Sequence, residues 1–132
     1  MRTVAIIAVL LAGQASAEGY GFRTPSGNIY CNGSIDGGNI QCSIVERSGT
    51  PAQPDPGSCS GVWGHHFELE RTGPARVVCG SAPRKSTYTN VAAYGETGRF
   101  GAITCQSETS GLTCRNQSGN GFMLSRRVQQ AF

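Results

Sequence analysis

The densest run of groups able to do chemistry is Trp63-Gly64-His65-His66-Phe67-Glu68-Leu69-Glu70, which holds both histidines of the chain. Alternate side chains of a strand share a face, so His66, Glu68 and Glu70 project together while His65, Phe67 and Leu69 project the other way. An imidazole with two carboxylates is a donor set suited to a divalent cation. Ligands two residues apart on a flat strand rarely converge on one ion. The plainer expectation is a half-buried strand with Phe67 and Leu69 inward and a wet polar face. Nucleophilic catalysis has less support: no Gly-x-Ser-x-Gly elbow occurs, and only two histidines could act as base. No catalytic residue is assigned, and no cofactor is expected.

Other candidates lie in the stretches between apolar segments. Gly80 to Arg99 holds Arg84, Lys85, Tyr88 and Tyr94, two cations and two aromatics of the kind that anchor protein or glycan contacts. A solvated loop is the plainer reading of that stretch. Ser48 to Gly61, with Pro51, Pro54 and Pro56, reads as an extended connection tied down by Cys59. An inhibitor loop braced by sulfur would use the same segment. Arg126-Arg127 with Arg115 could bind an anion, although a solvated turn explains them as well. Asn32-Gly33-Ser34 and Asn116-Gln117-Ser118 match the N-glycosylation sequon and are read as turn residues.

Positioning such side chains requires elements, and the cysteines indicate which. Ile29-Tyr30-Cys31 precedes a polar turn and Ile40-Gln41-Cys42-Ser43-Ile44; Ile103-Thr104-Cys105 precedes a second turn and Leu112-Thr113-Cys114. In each unit the apolar residues and cysteines alternate with polar ones, the pattern of a strand with one buried face. Setting Cys31 opposite Cys42 centres the first hairpin on Asp36-Gly37, a favoured two-residue turn. Setting Cys105 opposite Cys114 centres the second on Thr109-Ser110, with Gly111 suited to a left-handed position in a longer turn. Cys59 and Cys79 are left for each other. No C-x-x-C occurs, which removes thioredoxin-type and zinc-ribbon spacings.

The resulting expectation is all-β: a small antiparallel sandwich or barrel of disulfide-braced hairpins, with eight short strands between Tyr20 and Leu124. Ser125 can cap a short C-terminal helical turn through Arg126 to Gln130. Sulfur matters because the core is thin. Leu, Ile, Val and Phe make up about 17% of residues 18–132, below the usual range for a globular chain, while low net charge argues against disorder.

Met1-Arg2-Thr3, the apolar run Val4 to Gly13 and Ala15-Ser16-Ala17 have the charged start, short apolar middle and small-residue cleavage site of a signal peptide at residues 1–17. Residues 18–132 would then be one disulfide-stabilised domain, secreted or periplasmic, where thiols oxidise. The apolar run is too short to span a bilayer, so no membrane span is expected. Losing Arg2 takes the 11 Lys+Arg down by one against 8 Asp+Glu, a net charge of +2, too small for a dedicated nucleic-acid binder. A monomer is expected.

Phe22-x-Thr24-Pro25-Ser26-Gly27-Asn28-Ile29-x-Cys31, Trp63-Gly64 and Gly119-x-Gly121-Phe122-x-Leu124-Ser125-Arg126 resemble the pattern of a family of small secreted bacterial domains of unknown function. The resemblance runs from about Gly21 to Phe132 and implies an exported bacterial protein. Members carry Gly-Asp-Thr after the fourth cysteine and a His at the position Asn120 holds. Here Gly80-Ser81-Ala82 and Gly119-Asn120-Gly121 stand instead, so no family residue transfers. The leading functional expectation is a non-catalytic binding or envelope-associated module, with an unknown protein or glycan as ligand. The alternative is a small metal-dependent hydrolytic enzyme built around His65, His66, Glu68 and Glu70.

Overall fold

A computed structural model describes residues 19–132, so the signal-peptide expectation lies outside the described residues. Among the described residues, ten short strands and no helix are formed: β1 (Tyr20–Arg23), β2 (Ile29–Ser34), β3 (Asn39–Ile44), β4 (Val62–Leu69), β5 (Arg76–Gly80), β6 (Thr97–Phe100), β7 (Ile103–Glu108), β8 (Gly111–Arg115), β9 (Gly121–Leu124) and β10 (Gln129–Ala131). The first five make one antiparallel sheet in chain order, and the last five make a second. Each sheet is thus a meander of neighbours in sequence, the arrangement that short turns favour.

Alternation of apolar and polar residues decides which face is covered. In β2, Ile29, Cys31 and Gly33 are buried between less buried Tyr30, Asn32 and Ser34. In β3, Ile40, Cys42 and Ile44 are buried, and in the second sheet Ile103, Cys105, Leu112 and Cys114 repeat the pattern. Apart from Gly33, these buried residues join one apolar core. Phenylalanine pairs knit the two sheets: Phe67 of β4 lies 5.7 Å from Phe122 of β9, and Phe22 of β1 stacks on Phe100 of β6 at 5.5 Å between ring centres.

Three disulfides form, Cys31–Cys42, Cys59–Cys79 and Cys105–Cys114. The first and third join directly opposed residues of adjacent strands, with Cα atoms 4.0 Å apart, and their sulfurs are part of the core. The second ties the proline-rich segment to β5 near the surface.

The turns differ from expectation in opposite directions. Ser34 pairs with Asn39, so the first hairpin closes through four residues, 35–38, and Gly38, at φ 68°, takes the left-handed position. Glu108 pairs with Gly111, leaving only Thr109-Ser110 in the second turn, with Gly111 at φ 144°. The centres were legible because pairing fixes them; the lengths depend on where the ladder stops.

Two strands stand where none was expected. Thr97–Phe100 overlaps the end of the stretch read as a loop, Gly80 to Arg99, and buries only Phe100 fully, too little alternation to announce a strand. The C-terminal helical turn is absent, and β10 takes its place. Ser125 does receive the Val128 amide on its hydroxyl at 3.2 Å, but it also donates to the Val128 carbonyl at 3.0 Å. Those bonds close a tight reversal that returns the chain along β9, with Gln129 opposite Leu124. A serine hydroxyl serves a turn as readily as a helix start.

Both edges of the first sheet are partly covered. Beyond β1, the backbone of Arg23 exchanges hydrogen bonds with Asn90 and Ala92 at 3.0 and 2.8 Å. At β5, the Gln53 side-chain amide imitates a neighbouring peptide, accepting from the Val77 amide at 2.9 Å and donating to the Ala75 carbonyl at 3.2 Å. Open edges invite pairing with other chains, and these contacts weaken the invitation.

Candidate functional site

The outer face of the first sheet carries two rows of side chains fixed by strand register. One row runs Tyr30, Ser43, His66, Val78 across β2 to β5; the next runs Asn32, Gln41, Glu68, Arg76. In the second row the Gln41 amide donates to Glu68 Oε2 at 3.1 Å, and Arg76 pairs with Glu68 Oε1 at 2.7 Å. Both charges of that pair are at least partly in water, so it orients the carboxylate more than it stabilises the fold.

Tyr88 closes this face on one side. The Arg23 guanidinium donates to its carbonyl at 3.0 Å, and the Asn32 amide donates to its hydroxyl at 3.4 Å. Its ring meets Tyr30 edge to face, 6.2 Å between centres at 72°. Gly21 makes the placement possible, because a Cβ there would lie 2.5 Å from the Tyr88 ring. A cleft of about 420 Å³ results, lined by Tyr30, Asn32, Ser34, Asn39, Gln41, Ser43 and Tyr88. No charged side chain is among them.

The His66, Glu68 and Glu70 set does share a face but does not form a donor cage. Both ring nitrogens of His66 are engaged at 2.7 Å, Nδ1 with Ser43 Oγ and Nε2 with the Ser81 carbonyl. Glu68 is held by Arg76 and Gln41, and Glu70 lies 3.8 Å from the same arginine. His65 turns away to the Ile44 carbonyl at 2.8 Å. Among the described residues, no three His, Cys, Asp or Glu side chains gather as a metal-holding group.

Ser43, His66 and the Ser81 carbonyl form a series that spacing did not announce. A carbonyl only accepts, so Nε2 carries its proton, and in the neutral ring Nδ1 accepts from the Ser43 hydroxyl. That is a hydroxyl beside a base. Ser43 nevertheless sits mid-strand, paired with Tyr30 on one side and His66 on the other, so neighbouring amides belong to the ladder rather than to an oxyanion site.

The fold divides the four loop candidates only in part, since Lys85 and Tyr88 also share the lining of an open groove with Arg23 and Ser26. Tyr88 lines the sheet-face cleft, whereas Lys85 and Tyr94 join Arg126, Glu46 and Glu108 around a second cleft of about 260 Å³. Arg84 is exposed and lines neither cleft. The three arginines suggested for an anion do not assemble. Arg126 pairs with Glu46 at 2.9 Å, Arg115 lies over the Phe132 ring at 4.8 Å, and Arg127 flanks the groove beside Pro51 and β10.

Sequence reasoning missed the buried amides. Asn116 donates to the carbonyls of Glu70 and Gly73 at 3.0 and 2.8 Å and accepts from the amides of Ser118 and Asn120 at 3.0 Å each. It clamps the β4–β5 turn to the second sheet. Asn28 likewise exchanges two hydrogen bonds with the Glu46 backbone. The Asn-x-Ser spelling at 116–118 carried the signal, since a side-chain oxygen accepting the amide two residues on is an Asx turn.

The sequence matches the pattern described as Family of unknown function (DUF6636) over residues 3–132. The chain belongs to that family. Both sheets, the Tyr88 cleft and the Lys85 cleft all fall inside the DUF6636 match, so the unit the family defines includes every candidate described above. No curated protein and no solved structure matches the chain.

Proposed function

We propose that this DUF6636 chain is an exported binding module that holds a polar ligand between Tyr88 and the outer face of its first sheet. One observation carries the reading. The 86–92 segment is fastened along β1 through Arg23 and Asn90, which sets Tyr88 over a row of amides and hydroxyls whose hydrogen-bonding capacity is only partly used. Ligand sites are typically concave with a few fixed polar groups, and about 420 Å³ falls within their usual size. Three disulfides with no free cysteine among the described residues suit an oxidising compartment. Residues 1–17 serve as the signal peptide, residues 18–132 act as one monomeric domain, and the two sheets, each with its own edge strands, make a sandwich.

Fractionating bacteria that express the full chain tests export: the processed protein is expected outside the cytoplasm, starting at residue 18. Backbone amide NMR of that protein, titrated with fractionated small molecules from the native envelope, tests the site. Shifts confined to Asn32, Gln41, Ser43 and Tyr88 are expected. Shifts confined to the Lys85 side of the loop would move the site elsewhere.

A further inference from the structure

We infer that the Tyr88 cleft selects an uncharged oligosaccharide. The inference rests on the binding reading above and adds the chemical class of the ligand. Its first ground is the balance of hydrogen-bonding groups. Asn32, Asn39 and Gln41 each present an amide, which donates on one side and accepts on the other; Tyr30 adds a hydroxyl that does both, and Ser43, whose proton goes to His66, adds an acceptor. A row of vicinal sugar hydroxyls also donates and accepts at every position. Carboxylates and phosphates only accept, and they demand cations that this lining does not supply.

The second ground is charge. Glu68 and Arg76 stand at the end of the amide row and are spent on each other at 2.7 Å, so the floor offers no net charge to an ionic ligand. Gln41 is nonetheless oriented by Glu68, which accepts a hydrogen bond from its side-chain nitrogen at 3.1 Å and leaves the amide oxygen and the second N–H for a guest. Orientation beforehand lowers the entropy cost of binding. The third ground is the wall. Tyr30 and Tyr88 supply ring surface carrying hydroxyls, an apolar body with a polar tip that accommodates the C–H faces and the edges of a pyranose together. A peptide would instead look for a free strand edge to extend, and the rims of this sheet are already partly covered, at Arg23 of β1 and at Val77 of β5.

The test titrates the processed protein, monitored by amide NMR, with four neutral hexasaccharides: maltohexaose, cellohexaose, mannohexaose and hexa-N-acetylchitohexaose. A hexagalacturonate and a mixed hexapeptide pool serve as charged and peptide comparators. At least one neutral sugar should move Asn32, Gln41 and Tyr88, and Tyr88→Ala or Gln41→Ala should weaken it about tenfold, roughly 1.4 kcal/mol. Arg84→Ala and Lys85→Ala, outside the cleft, should leave it unchanged. Unaltered disulfide content and melting point in the variants exclude misfolding as the cause. If only hexagalacturonate or peptides move the cleft, the sugar assignment falls while the binding site stands. If no probe moves it, both fall.

Discussion

Asn116 is the residue on which the join between the sheets depends most. Its amide satisfies two carbonyls of one turn and two amides of another, and it is 7% exposed. Asn116→Ala would orphan four backbone groups at once, so a loss of about 3 kcal/mol is expected in urea unfolding. Asn116→Asp should recover part of it by restoring the two accepted bonds while facing the carbonyls of Glu70 and Gly73 with negative charge. Residues of this kind are hard to read in advance, because an Asn in a polar, Gly-rich turn has the same spelling whether solvated or clamped. The outward direction of His66 and Glu68 was legible from alternation alone. That Ser81 and Arg76 would occupy them was not, since those partners arrive from β5 and beyond.

Strand-scale features were the most legible, and the reason is pairing. The alternation through Ile29, Cys31, Ile40, Cys42 and Ile44 fixes both which face is buried and which residues oppose. β6 and β10 escaped because each buries a single side chain, Phe100 and Gln129, and so shows no period. The bridges follow from the same register, and their stabilities should differ by place. Cys59–Cys79 closes a separation of 20 at the surface, so Cys59→Ser with Cys79→Ser should cost about 3 kcal/mol, the loop-entropy value. Cys31 and Cys42 are each 1% exposed. Replacing both by alanine removes core packing as well and should cost about 1 to 2 kcal/mol more. Thermal unfolding of both double variants, at matched pH, measures the difference.

Taken as one object, the protein compensates for a sparse apolar interior with covalent ties inside each sheet and polar guards along its first sheet's rims. Deleting residues 86–93 would strip β1 of its cover as well as remove Tyr88. Concentration-dependent self-association is then expected in analytical ultracentrifugation, while the full chain stays monomeric. Thin cores also leave little reserve, so a reductant able to open all three bridges should lower the melting point steeply. Cys31–Cys42 and Cys59–Cys79 both lie in the half that ends at Gly80, and Cys105–Cys114 lies in the half that begins at Thr97. No sulfur crosses between the halves. Only the 81–96 connection joins the halves covalently, so what holds sheet to sheet is the shared apolar core and the Asn116 hydrogen bonds. Two copies could trade halves with their oxidation state intact.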